Sequence, residues 1–197
     1  MESTLTTKRI TSIDLLRGLV MIIMALDHVR DYFHADAFIY DPLDLEKTTP
    51  VLFFTRWITH FCAPVFMFLS GTSASLVGER KSKKELSMFL FKRGAWLILL
   101  ELTVINFGWN FDITFNNIYF IVIWVLGLSM IALAAAVHLP RKWIFVIGLL
   151  ILAGHNLLDG IHVQGNTFKA FTWAIVHDQN LFTWAGKDIL VGYPVLP

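Results

Sequence analysis

Residues 13–33, 51–77, 88–109, 117–138 and 143–158 are mostly apolar, and most of these stretches reach the length a helix needs to cross a bilayer, about 20 residues at about 1.5 Å rise each. In hydrocarbon no water satisfies a backbone N–H or C=O, so runs of this kind must bond internally as helices. The first stretch is interrupted by charge and the last is short. Composition agrees: 56% of the residues are hydrophobic and 16% charged, whereas soluble domains run nearer a half and a quarter. The chain reads as an all-α, multi-pass transmembrane helix bundle of five spanning helices. A sixth apolar run begins at Ile189 in ILVGYPVLP and stops at Pro197. The expectation is a single transmembrane domain over 1–197, the N-terminal part of a longer bundle.

Orientation follows from where Lys and Arg fall in short loops. Lys8 and Arg9 precede the first helix. Arg80, Lys81, Lys83, Lys84, Lys92 and Arg93 cluster after the second, and Arg141 and Lys142 follow the fourth. The alternate connections are poor in basic residues: 31–50 carries five acids and Lys47, and 108–116 only Asp112. This places the N-terminus in the cytoplasm. The segment 160–188 becomes an external loop whose aromatics suit the headgroup level. Lys8, Arg9 and Arg17 precede the apolar stretch GLVMIIMA of the first helix, but no small-residue cleavage site follows it, so the helix reads as a retained anchor. With a net charge of +1, nucleic acid is not expected as a partner. The lone cysteine, Cys62, reads as a packing residue.

Ionisable groups inside spanning segments are costly and face a cavity or a partner. Asp27, Arg30, Asp31 and His34 recur at i, i+3, i+4 and i+7 and share one face of the first helix. Asp14 and Arg17, of opposite charge at i and i+3, form a pair near its inner end. In the second helix Arg56 and His60 lie one turn apart, and Ser70, Gly71, Ala74 and Ser75 permit close helix approach. His60 and Glu101 are expected about 13 Å and 12 Å below the outer surface by helix rise. Asn106 lies higher, and His155, Asn156 and Asp159 end the fifth helix. A polar cavity open to the outside is the expectation, with a lock between helices as the alternative for His60 and Glu101. His138, His162 and His177 read as interfacial or surface groups. There is no P-loop, GxSxG or HExxH pattern, and no metal site is expected.

The opening RITSIDLLRGLVMIIMALDHVRDYF, the acidic DPLDL, and FFTRWITHFCAPVFMFLSGTSA resemble bacterial multi-pass proteins grouped with the catalytic domain of heparan-α-glucosaminide N-acetyltransferase. FKRGAWLILLELTVINFGW, IWVLGLSMI, GHNLLDG and GYPVLP are similar in kind and order. The resemblance implies a transmembrane acyltransferase in a bacterial inner membrane. It also implies acetyl-CoA as donor from the cytosolic side and an external acceptor amine or hydroxyl, a glycan or a small molecule. A polar residue at the outer end of the first helix and a histidine in the following loop would be catalytic. Here Asp27 and His28 stand at the helix end and His34 is the next histidine, so the role falls on His28 or His34.

Acyl transfer from a thioester needs a base for the acceptor or a nucleophile to carry the acyl group, and histidine serves either need. Asp27 or Asp31 would orient the imidazole, with His60 as a further catalytic candidate. Arg30 and Arg56 would bind an anionic group, joined at the acceptor by Glu101, Asn106, His155, Asn156 and Asp159. Arg17, or the basic run from Arg80 to Arg93, would meet the CoA phosphates, although that run also has a topological reading. A transporter or flippase using the outer cavity, or a non-catalytic membrane partner, are the alternatives. Homo-oligomerisation is left open.

Overall fold

The computed structural model describes residues 11–37 and 39–196; Lys8 and Arg9, which enter the orientation argument, lie outside them. The chain divides between Ser75 and Leu76 into two compact units.

The first unit begins with α1 (Thr11–Phe33), close to the expected 13–33. The expected helix 51–77 is instead two helices, α2 (Pro50–Thr59) and α3 (Cys62–Gly78). Pro64 explains the break. It has no N–H for the carbonyl of His60, and its ring crowds that carbonyl. At the start of α2, the Thr49 hydroxyl accepts from the Leu52 N–H and Pro50 occupies the first turn, where a missing N–H costs nothing. α1 is tied to α3 by Arg17, whose Nη2 donates to Ser73 Oγ (2.5 Å) and to the Leu69 carbonyl (3.5 Å). Among the described residues nothing lies within 4 Å of where a Cβ on Gly71 would sit, so the small-residue stripe brings no described helix close there.

The second unit is organised by α4 (Lys83–Leu100) and α6 (Val122–Ala136). Between them the chain passes through one π turn (Glu101–Ile105), the short helix α5 (Asn106–Asn110) and strand β1 (Asn117–Phe120). Ser82 and Glu85 form a reciprocal capping box at the start of α4, the S-x-x-E pattern of helix entry. α4 and α6 touch backbone to backbone at Gly94 and Gly127. A Cβ on Gly94 would lie 2.5 Å from the Gly127 carbonyl oxygen, and one on Gly127 2.8 Å from that of Gly94. Along the same seam Ser87 Oγ donates to the Ala134 carbonyl (2.7 Å), and Lys83 Nζ donates to the carbonyls of His138 (3.0 Å) and Leu139 (3.4 Å).

The remainder comprises α7 (Arg141–Gly154), a 3-10 turn (His155–Leu158), α8 (Phe168–Val176), β2 (Asn180–Trp184) and β3 (Lys187–Val191). The sheet order is β1-β3-β2, with β1 parallel and β2 antiparallel to β3. This corrects two expectations. The sixth apolar run opens as strand β3, not as a helix, and residues 117–120 belong to β1, so the fourth helix starts only at Val122. The β2–β3 hairpin is closed by Ala185 (φ 53°) and Gly186 (φ 75°), a two-residue turn with both central φ positive that matches the twist of paired strands. Once that turn forms, the β-branched residues Ile189 and Val191 pair with β1. Ala170, Ala174, Phe182 and Val191 form the core between α8 and the sheet, with Phe120, Phe171 and Trp184 packed against it. The segment 160–188 is therefore folded structure, only part of it helical.

Among the described residues two helical stretches are long and apolar enough to cross a membrane, Pro50–Gly78, counted through its break, and Arg141–Leu158. The other expected spans fall short for local reasons. α1 carries five charged residues, Asp14, Arg17, Asp27, Arg30 and Asp31; α4 carries Lys83, Lys84, Glu85, Lys92 and Arg93; and α6, having lost residues to β1, is 15 residues long. The architecture is mostly helical with a small three-stranded sheet, and five spans are not established by it.

Gly94→Ala and Gly127→Ala are expected to destabilise the protein by about 1–3 kcal/mol each, because backbone on the facing helix must move. Gly71→Ala, in open space, should be neutral or gain up to about 1 kcal/mol from helix propensity; thermal unfolding of the three variants checks the contrast. A second expectation concerns the 111–116 loop. Asp112 Oδ1 accepts from the Thr114 N–H (2.8 Å) and hydroxyl (2.5 Å), and Oδ2 from the Asn116 N–H (3.2 Å). These bonds, led by those from Thr114, hold its carboxyl below the usual range. A lowered folded value means the stabilisation is present above the unfolded pKa, about 3.9, and is lost as pH falls through the folded one. The protection of the Thr114 and Asn116 amides, measured as exchange relative to the intrinsic rate at each pH, should fall on acidification, and Asp112→Ala should remove that dependence.

Candidate functional site

In the first unit the face predicted on α1 is assembled against α2. Asp27 uses both oxygens. Oδ1 accepts from Arg30 Nη1 (2.7 Å) and from the Thr59 hydroxyl (2.9 Å), and Oδ2 accepts from Arg56 Nη1 (2.7 Å). Arg30 reaches onward to Asp31 Oδ1 (2.7 Å). Two carboxylates and two guanidinium groups balance, and all four side chains are between 13% and 28% exposed. Ion pairs this shielded are screened less than surface pairs. With both oxygens engaged, Asp27 ties α1 to α2. Thr59, buried between Asp27 and its own helix, was not singled out from the sequence. Its signal was position alone, one turn after Arg56.

The three histidines of this unit differ in what they present. His60 sits at the α2–α3 break, exposed, and its Nδ1 donates to the Arg56 carbonyl (2.8 Å). That bond assigns the proton to Nδ1 and leaves the Nε2 lone pair outward. His34 follows the last residue of α1, is exposed, and its Nδ1 accepts from the Asp36 N–H (3.2 Å), which puts the neutral ring's proton on Nε2. His28 is exposed on α1. Arg56 thus serves twice: its guanidinium holds Asp27 and its carbonyl orients His60.

In the second unit Glu101 and Asn106 are fully buried, but they serve the fold rather than an open cavity. Glu101 Oε2 accepts from the Trp124 N–H (2.9 Å) in the first turn of α6, capping a helix N-terminus with a carboxylate. Oε1 has no partner among the described residues. Asn106 Nδ2 donates to the carbonyls of Glu101 (2.6 Å) and Tyr119 (2.9 Å), while its Oδ1 accepts from the Tyr119 N–H (2.5 Å). The side chain thereby acts as a neighbouring strand along the edge of β1.

After α7, His155 is half-buried, with an Nδ1 that lacks a partner among the described residues, and Asn156 is exposed. Asp159 is paired with His177, Oδ1 to Nε2 at 3.0 Å. This corrects the reading of His177 as a surface group: its side chain is 4% exposed. The docking of α8 on the sheet carries the ring, at the helix end, against Trp173 (ring centroids 5.6 Å) and Asp159. His162 is mostly exposed, as expected, and its Nδ1 lies 2.9 Å from Asp178 Oδ2. Among the described residues no group of three or more His, Cys, Asp or Glu is arranged to hold a metal ion.

Removing Asp27 leaves two partly buried cations facing each other, so Asp27→Ala is expected to cost about 2 kcal/mol, below the fully buried range because water reaches the pair. A double-mutant cycle with Arg56→Ala should return a coupling of about 1 kcal/mol or more, measured by thermal unfolding.

The model of the family described as heparan-alpha-glucosaminide N-acetyltransferase, catalytic, matches residues 9–194. No curated protein and no solved structure matches the chain. The match spans both units and includes the Asp27 network, the three histidines of the first unit and the seam of the second. The chain belongs to the heparan-alpha-glucosaminide N-acetyltransferase catalytic family.

Proposed function

We propose that this chain is an acetyltransferase of the membrane, moving an acetyl group from cytosolic acetyl-CoA to an amino or hydroxyl group of an external sugar or envelope component. The family match over nearly the whole chain carries the reading. Two apolar helical stretches of spanning length support a membrane location, which we place in a bacterial inner membrane with the N-terminus in the cytoplasm.

The chemistry needs a base at the acceptor and a site for the donor. Of the three candidate histidines, His60 has the geometry of an oriented base, with Nδ1–H fixed on a carbonyl and Nε2 outward. In the proposed step the acceptor's N–H or O–H proton goes to Nε2 as the nitrogen or oxygen attacks the thioester carbon. The tetrahedral adduct then expels the CoA thiolate, which takes that proton back from the imidazolium. The Asp27–Arg56 pair holds the helix that orients His60, while His28 and His34 are left to position acceptor or donor. For the CoA phosphates the exposed Arg80, Lys81, Lys84, Lys92 and Arg93 fit by charge. Lys83 and Arg17 are already committed, to the end of α6 and to α3.

Incubation of the protein in vesicles with acetyl-labelled CoA tests this. Wild type should transfer label to an added amine or hydroxyl acceptor. His60→Ala should lose about 10²–10⁴-fold in rate, with His28→Ala and His34→Ala losing less. Absence of transfer by wild type, together with a solute flux across the same vesicles, would favour a transporter instead.

A further inference from the structure

A cavity of about 530 Å³ opens at the end of α7, lined in part by Asp159, His162, His177, Asp178, Gln179 and Tyr193. Its volume lies in the range that holds small organic ligands. Two His–Asp pairs cross it in opposite senses. The acid of the 159–162 segment takes His177, and the histidine of that segment takes Asp178. Trp173 Nε1 donates to the Ile161 carbonyl (2.8 Å) and fixes the same segment to α8.

The chemistry of the walls is one-sided. With the two imidazoles neutral, the charged lining residues are both acidic, and among the described residues neither Lys nor Arg lines the cavity. Each carboxylate is oriented through one oxygen, Asp159 through Oδ1 and Asp178 through Oδ2, and among the described residues the other oxygen of each makes no hydrogen bond. His177 holds Asp159 from a nearly buried position, and its Nδ1 lacks a partner among the described residues. The nearly buried His177 orients the Asp159 carboxylate, which is itself 63% exposed, and so presents an acceptor site at the cavity's edge. It does not suit an anion, and the described residues offer no three-ligand set for a metal. What it suits is a cation rich in N–H donors.

Position narrows the source. Asp159 directly follows the apolar stretch Arg141–Leu158, one of the two long enough to span a bilayer. Leu157 and Ile161 on either side are exposed, at 85% and 48%, and Tyr193 on the cavity wall has the amphipathic character found at membrane interfaces. We propose that this cavity binds the primary ammonium of an ethanolamine lipid headgroup at the membrane surface. Three N–H donors match the two free carboxylate oxygens and neighbouring acceptors. A trimethylammonium headgroup has no N–H to give and would need an aromatic cage, for which the cavity offers the single ring of Tyr193 besides its imidazoles.

The test uses the full chain in nanodiscs of phosphatidylcholine with and without phosphatidylethanolamine, reading the lipids retained on detergent extraction by native mass spectrometry. Wild type should prefer the ethanolamine lipid by about tenfold or more, a difference of about 1.4 kcal/mol. Retention should fall stepwise when N-methyl and N,N-dimethyl headgroups are substituted, a series that needs no variant to fold. Asp159→Asn and Asp178→Asn should bring the preference towards unity, while Glu46→Gln, outside the cavity, should keep it. If the preference is absent but soluble ethanolammonium raises the unfolding temperature in phosphatidylcholine discs, the lipid assignment is overturned and a free amine is the ligand. Equal retention of all headgroups with no response to the soluble amine overturns the site altogether.

Discussion

The contact between Gly94 and Gly127 sets the geometry of the second unit. Two helices of ordinary side chains approach no closer than about 8–10 Å between axes, and a Cβ on either glycine would strike the other's carbonyl oxygen. With the backbones that near, three polar groups reach across the seam: Lys83 to the end of α6, Ser87 to Ala134, Glu101 to the first turn of α6. The seam therefore satisfies helix ends that would otherwise stay unpaired at both limits of α6. Association between helices in lipid lacks a hydrophobic drive and relies on such close packing and hydrogen bonding. The small core between α8 and the sheet is of the other kind, aromatic and aliphatic, built from Phe182, Val191 and their neighbours.

The first unit solves a related problem with charge. α1 meets α3 through Arg17 and the buried Cys62, whose Sγ lies 3.7 Å from the Val20 carbonyl, and meets α2 through Asp27. Asp27 is the hinge of the functional reading, because it fixes Arg56, and the Arg56 carbonyl sets the tautomer of His60. A carboxylate on α1 thus holds the helix whose backbone carbonyl orients the His60 ring. The break at Pro64 contributes as well, since it ends α2 at Thr59 and leaves His60 exposed between two helices rather than packed inside one.

Much of this was readable in the chain, and the misses have physical causes. The i, i+3, i+4 recurrence placed Asp27, Arg30 and Asp31 together, because helical periodicity is a local property. The family resemblance carried by the first two helices was also local, and the family match bears it out. Pro64 was visible but outweighed by the apolar run around it. Gly94 and Gly127 each look ordinary in FKRGAWLI and VLGLSMI, since their meaning lies in an encounter across 33 positions. β3 misled for a similar reason: ILVG is apolar enough for a helix start, and its strand character depends on the Ala185–Gly186 turn and on β1, some 70 residues earlier. His177 was misjudged because burial at the end of α8 requires the sheet to exist first.

The π turn at Glu101–Ile105 shows how a small local irregularity serves both halves of the second unit. Glu101 and Asn106 are both fully buried and both act toward the α6–β1 side. In an α-helix residues five apart point about 140° from each other, so one of the two would face away. The π turn bonds the Asn106 N–H to the Glu101 carbonyl across five residues and brings both side chains to one face. From that face Glu101 caps α6 and Asn106 pairs with Tyr119 of β1. Strand β1 then accepts β3 on its other edge, β3 carries β2, and the sheet seats α8 with His177 at its end. Reversion of the π turn to α geometry would rotate Asn106 off β1 and remove the strand's edge partner, loosening the sheet on which His177 and the cavity beside it rest. Single π turns cost hydrogen-bond geometry, and here the recovered bonds are the cap of one helix and the edge of one strand.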